Sequence, residues 1–158
     1  GDGQLAQRLN RNRRLANRLH WHGIDLVPPP AGWPAGWAWD QADLRDWPGW
    51  AGHEIVVGCL CLHHFQQECL AAIGARLRQT ARLVILAEPV RRRIHQQQGS
   101  LLALLGANHV TRHDLRVSVQ AGFRHDELAA FLGLDRSAWT INITERFLGS
   151  YRLVARRR

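Results

Sequence analysis

Two adjacent histidines, His63 and His64, close the segment HEIVVGCLCLHHF, directly behind an apolar run of strand character. Imidazole exchanges protons near neutrality, so a pair at the carboxyl end of a buried strand could take a proton from a phenol-like hydroxyl. The competing reading is that the pair orders its loop and lines a pocket. His113 and Asp114 are neighbours as well, and form either an oriented base or a helix cap. Gly1-Asp2-Gly3 precedes a helical stretch, and glycines at that spacing let a backbone approach a ligand with no Cβ in the way. Metal chemistry has little support. His20/His22, Cys59/Cys61 and His109/His113 are pairs, but no Cys-x-x-Cys and no His-Glu-x-x-His occurs, so no metal site is expected.

The elements that must position these residues follow from periodicity. Gln4–Leu19 reads as a helix with Leu5, Leu9, Leu15, Ala16 and Leu19 on one side, interrupted over Asn10–Arg14. HWHGIDLV is a short strand closed by three prolines, and Trp37–Ala42 is a possible second strand inside a turn-rich stretch with five Trp between residues 31 and 50. HEIVVGCLCL is a continuous apolar run, the pattern of a strand covered on both faces. Gln67–Gln79 repeats Leu70, Ile73 and Leu77 at helical spacing, and ARLVILAE is a further buried strand ended by Pro89. Ile94–Leu105 reads as a helix, DLRVSVQAGF is either a strand or the end of a helix, and Asp126–Leu132 is a short helix with Asp126 as its N-cap. WTINITERF, Gly149-Ser150 and YRLVARR make a terminal hairpin. The alternation predicts an α/β fold, one domain over residues 1–158, with a parallel sheet, helices on both faces and a C-terminal antiparallel hairpin. Such sheets bind ligands beyond the carboxyl ends of their strands.

Composition bounds the rest. With 158 residues, 46% of them apolar, the chain is long enough for a real core and too apolar for disorder. No apolar run spans a bilayer, no secretory signal opens the chain, and three clustered Cys do not make a disulfide framework, so a reducing cytoplasm is the expected setting. The formal charge is +8 and every basic residue is Arg. Runs at Arg13–Arg14, Arg91–Arg93 and Arg156–Arg158 read as solvated surface and a ragged terminus, because no aromatic series is interleaved with them. Nucleic acid is therefore not the expected partner. Trp33, Trp37 and Trp39 are expected to pack over the sheet's edge and wall a pocket.

These segments, in this order, resemble the class I S-adenosylmethionine-dependent methyltransferases, small-molecule members in particular. GDG followed by Leu5 is similar to the second half of that family's glycine-rich cofactor turn. HGIDLVP is similar to its second strand, whose terminal acid grips the ribose, which places that role on Asp25. A carboxylate accepts two hydrogen bonds from a diol, and the spacing from the glycines is that of one helix and half a strand. WDQADLRDW is similar to the segment that recognises the adenine amino group; the resemblance gives that role to Asp43 first and Asp46 second, with Leu44 beside Asp43. Asp25 and Asp43 have a plainer reading as turn-forming residues. LHHF, LVILAEPVRR and the hairpin at residues 139–157 resemble the family's later strands and their exits.

The resemblance implies an enzyme that transfers a methyl group from S-adenosylmethionine to a small-molecule acceptor by in-line displacement, with O-methylation favoured and His63, His64 or His113 as a possible base. Gly1, Asp2, Gly3, Asp25, Asp43 and Leu44 are the implied cofactor contacts. It also implies a chain truncated inside its cofactor turn. The expectation is six strands with the first central strand missing, poor cofactor binding by this chain alone and marginal stability. The alternative class is a non-enzymatic or RNA-directed binding protein that uses the Arg surface.

Overall fold

The structure, a computed structural model, describes residues 3–12, 15, 18–92, 117–147 and 149–158. It divides into two compact units, Gly1–Gly49 and Trp50–Arg158, each with its own sheet. Ile94–Leu105 and His113-Asp114 lie outside the described residues, as do Gly1 and Asp2. Among the described residues no helix is long and apolar enough to cross a membrane.

The first unit holds α1 (Gln4–Asn10) and two parallel strands, β1 (His22–Asp25) and β2 (Ala38–Gln41). The helix stops well short of Leu19. Beyond Asn10 the chain turns through single i→i+3 bonds, Asn12 N–H to Leu9 O and Leu15 N–H to Asn12 O. Asn10, Arg11 and Asn12 offer no apolar side chain to bury, and Asn competes for the backbone, so the helix ends there. The tryptophans pack on one another and on glycines. Trp33 meets Trp37 and Trp39 edge-on, with ring centroids 5.0 Å apart in both pairs. Gly23 lies opposite Trp39, and a Cβ there would overlap the indole. Asp40 of β2 holds the His22 Nε2 at 3.0 Å and accepts the Trp47 indole N–H at 2.6 Å.

The second unit is a four-stranded mixed sheet in the order β3 (Ile55–Cys59), β4 (Leu83–Pro89), β6 (Ser150–Arg157), β5 (Trp139–Glu145). The β3–β4 pair is parallel, and β4–β6 and β6–β5 are antiparallel. There are thus six strands among the described residues, and β1 and β3 belong to different sheets. One face of the second sheet is dry: Val84 and Leu86 of β4 and Tyr151, Leu153 and Ala155 of β6 are all buried. α2 (Gln67–Thr80) buries Leu70, Ile73 and Leu77 as its spacing predicts. Its Gly74 meets the Leu132 carbonyl just past α3 (Glu127–Phe131), so closely that a Cβ would strike it.

Three expectations need correction. β3 is not covered on both faces, since Ile55 is 48% exposed and Cys59 is exposed. Asp126 makes no side-chain cap on α3, because its carboxylate is turned to Arg136 at 2.9 Å. Arg156 and Arg157 are not a ragged end: they lie in β6, and the Arg157 guanidinium donates to Ala81 O and Arg78 O and sits 4.9 Å over the Trp139 ring. The ambiguous stretch is helical over residues 117–121, and Gly122 then closes against the Pro89 carbonyl.

Beyond the carboxyl end of β4, Glu145 ties three segments together. Its carboxylate accepts the His125 amide at 2.7 Å and the Arg92 guanidinium. The Tyr151 hydroxyl donates to the His125 carbonyl at 2.8 Å, and so helps fix His125 at φ 48. Burial pushes the Tyr151 hydroxyl well above its usual range, which keeps it a donor. Burial also pushes Glu145 upward, but the His125 amide and Arg92 outweigh it and hold the carboxyl below its ordinary value. A depressed folded-state value means that this contribution to stability is whole above about pH 4.5 and is lost as the pH falls further, through the folded-state value. Glu145→Gln is expected to be less stable at neutral pH and to lose less stability than the parent on acidification, followed by urea titration across that window. Parallel stability curves for the two proteins would remove Glu145 from this role.

Candidate active site

The second unit concentrates its polar chemistry at the carboxyl ends of the parallel strands β3 and β4. Leu60 follows β3 with φ 52, a left-handed conformation uncommon for leucine. Its amide still donates to Ala87 O at 2.8 Å, so the ladder to β4 runs one residue past the strand. The left-handed step then turns the chain into a single 3-10 turn, Leu62–His64. Three consecutive amides come to face β4: Cys61 and Leu62 donate to Glu88 Oε1 at 3.1 and 2.9 Å, and His63 donates to Oε2 at 3.4 Å. Converging main-chain N–H groups of this kind form a cradle for negative charge.

Glu88 completes the arrangement with its second function. Its Oε2 lies 2.8 Å from His63 Nδ1, and the two side chains are 0% and 4% exposed. A carboxylate only accepts, so Nδ1 carries the proton and the lone pair is left on Nε2. The imidazole is thereby fixed in tautomer and orientation, which is what a general base requires. His64 is different. It is exposed, and its ring lies 4.0 Å from that of His63 at 39°. The structure thus separates two residues that the sequence left equivalent, giving His63 an oriented nitrogen and His64 an exposed ring beside it.

Glu88 was not among the residues singled out from the sequence, although a signal was there. An acid near the end of the apolar strand LVILAEP must be buried, and a buried carboxylate needs partners. Nothing in the sequence names those partners, because the amides that serve it belong to a turn set by the backbone of Leu60.

In the first unit the expected cofactor residues are found in three different states. Gly3 has φ 67 and caps α1, and a Cβ there would stand 2.9 Å from the Trp33 ring, so the packing of the unit itself demands glycine. Asp25 ends β1 and its Oδ1 accepts the Val27 amide in a long 3.3 Å bond, the turn geometry of its plainer reading. Asp43 is engaged on both oxygens by Arg45, Nε at 3.0 Å and Nη2 at 2.6 Å, with the Arg45 amide at 2.9 Å. The hydrogen bonds from the Arg45 side chain and amide hold its carboxyl at about 2. An adenine amino group would have to displace that guanidinium. Leu44 is half-buried in the same turn. The tryptophan cluster packs against Gly3 and Gly23. Among the described residues no three His, Cys, Asp or Glu side chains converge as metal ligands.

No protein-family model and no curated protein matches the chain by sequence. Solved structures do match it by fold. Over 99% of its length the chain matches the plantazolicin methyltransferase BpumL, solved with a monoazolic desmethylPZN analog and SAH, at TM-score 0.73 and 11% identity, covering 72% of that protein. All of the chain matches TnmH, at TM-score 0.61 and 22% identity, and it spans 48% of TnmH. It also matches the N-methyltransferase NodS from Bradyrhizobium japonicum WM9, solved with S-adenosyl-L-homocysteine, at TM-score 0.53 and 9% identity, over 87% of this chain and 66% of that one. The chain has the mixed α/β fold of the methyltransferases BpumL and NodS.

Proposed function

We propose that this chain is a methyltransferase domain that moves a methyl group from S-adenosylmethionine to a small-molecule acceptor, with a hydroxyl as the favoured acceptor. The observation that carries the reading is the Glu88–His63 pair, seated on three main-chain amides at the carboxyl ends of two parallel strands. The likeness in fold to proteins solved with SAH supports the choice of cofactor.

Bound S-adenosylmethionine supplies an electrophilic methyl on a sulfonium, so the protein has little covalent work to do. Asp25 suits the ribose: it is an acceptor-only group at the carboxyl end of a parallel strand, able to take two hydrogen bonds from a diol. Gly3 keeps the backbone before α1 free of a side chain. With an acceptor bound, His63 Nε2 would take its hydroxyl proton, and Glu88 would face the positive charge that then develops on the ring. Orientation and exclusion of water supply the rest of the acceleration. An amine that arrives neutral would need no such base.

The test is calorimetric titration with SAH. Asp25→Ala is expected to weaken binding by about 1.5–3 kcal/mol, the range for a hydrogen bond to a charged group. Unchanged affinity would remove Asp25 from the site.

A further inference from the structure

β5 ends the sheet order, and its outer edge pairs with no strand among the described residues. The direction of its backbone groups is fixed by the hairpin. Arg146 N–H donates to Ser150 O at 2.8 Å and Arg158 N–H to Ala138 O at 3.0 Å, so even-numbered residues turn their backbone toward β6. Trp139, Ile141, Ile143 and Glu145 therefore turn theirs outward. Trp139 N–H is satisfied by Asp135 O at 2.9 Å, and Ile141 O accepts Arg136 Nη1 at 3.2 Å.

Open edges are normally blunted by Pro, Lys, bulges or a short strand. β5, WTINITE, has none of these: it is seven residues long, its pairing with β6 is continuous, and its one charge, Glu145, is held by Arg92 and the His125 amide. Thr140, Ile141, Ile143 and Thr144 are β-branched and suit a sheet.

We propose that this edge joins two copies of the chain as an antiparallel β5–β5 ladder about a two-fold axis at Asn142. An isologous contact must be complementary to itself, and this sequence is. With Asn142 on the axis, Ile141 faces the second copy's Ile143 as a hydrogen-bonded pair, which is the pairing that the outward direction of the odd residues requires. Thr140 faces the second copy's Thr144, and Asn142 faces itself. Thr–Thr and aliphatic pairs are favourable across a ladder, and no like charges are opposed on β5. Arg152 and Arg156 lie on β6, so they stand three strand spacings from their counterparts, about 14 Å, beyond the screening length of about 8 Å at physiological salt. Arg136 is the competitor. It must leave Ile141 O for the ladder to close, keeping its exposed partner Asp126.

Sedimentation equilibrium over about 1–200 µM, the range of a weak specific association, tests this directly. The parent chain dimerises reversibly. Asn142→Lys and Asn142→Asp each sediment as folded monomers, because each sets like charges against each other on backbones about 4.5 Å apart. An equal mixture of the two variants restores the dimer, and Arg136→Ala tightens it several-fold. A parent chain that stays monomeric throughout, a dimer indifferent to Asn142→Lys, or species larger than a dimer would each overturn the proposal.

Discussion

Glu88→Ala is expected to lose about 3–5 kcal/mol of folding stability, since each buried donor left without its acceptor costs about 1–3 kcal/mol. The substitution strips the acceptor from the amides of Cys61, Leu62 and His63 and from His63 Nδ1 at once. The bonds from the Leu62 and His63 amides and from the His63 ring are buried, and the Glu88 side chain is 0% exposed, so water does not simply take its place. Against a typical total of about 5–15 kcal/mol this is a large share. For a chain of this size the melting temperature should fall by about 8–15 °C. Glu88→Gln should lose less, since it keeps the shape and one acceptor oxygen, yet it points an amide NH2 at donors. Urea and thermal unfolding measure both variants. A loss within about 1 kcal/mol for the alanine variant, well under the cost of leaving several buried donors unsatisfied, would mean that the cradle is not closed in solution.

His63→Ala is expected to slow methyl transfer to a hydroxyl acceptor by about 10²–10⁴-fold, the usual worth of a general base, while SAH affinity stays as it was. His64→Ala should do much less, because His64 is exposed and makes its ring contact with His63 from the solvent side. If the whole loss appears instead as weaker cofactor binding, the histidines line a pocket and the base reading fails. If rate and affinity both survive His63→Ala, the acceptor needs no deprotonation before it attacks, as with the free lone pair of a neutral amine.

What could be read from the sequence was what burial writes into it. Residues 55–59 and 83–89 announce strands because apolar runs bounded by turn formers have few other uses, and α2 shows its face through Leu70, Ile73 and Leu77. The hairpin was legible because two alternating runs flank Gly149. Segments of weaker pattern were misjudged or left open. Val117 and Val119 alternate like a strand, yet the backbone over 117–121 is helical, with Val119 buried and Gly122 fitted closely on Pro89. The extent of α1 was overestimated because leucines beyond Asn12 keep the period after the backbone has left the helix. At the site, the histidines were visible and their division of labour was not. That division comes from the φ of Leu60 and the position of Glu88 on a neighbouring strand, long-range facts that no local window contains. Asp43 shows the reverse case: its partner Arg45 sits two residues away in plain view, and the turn that joins them follows from that spacing.

The left-handed step at Leu60 has one more consequence. A loop that follows a strand is ordinarily among the first parts of a protein to open, on its own and at little cost. Here the loop's amides are fastened to an acid that belongs to β4, a strand with neighbours on both sides. To swing the histidines away, the molecule must either part the carboxylate from its whole set of donors together or disturb the middle of the sheet. This end of the sheet is therefore expected to share the slow, cooperative breathing of the core instead of the fast flutter of the surface, with the His63 imidazole held in one orientation.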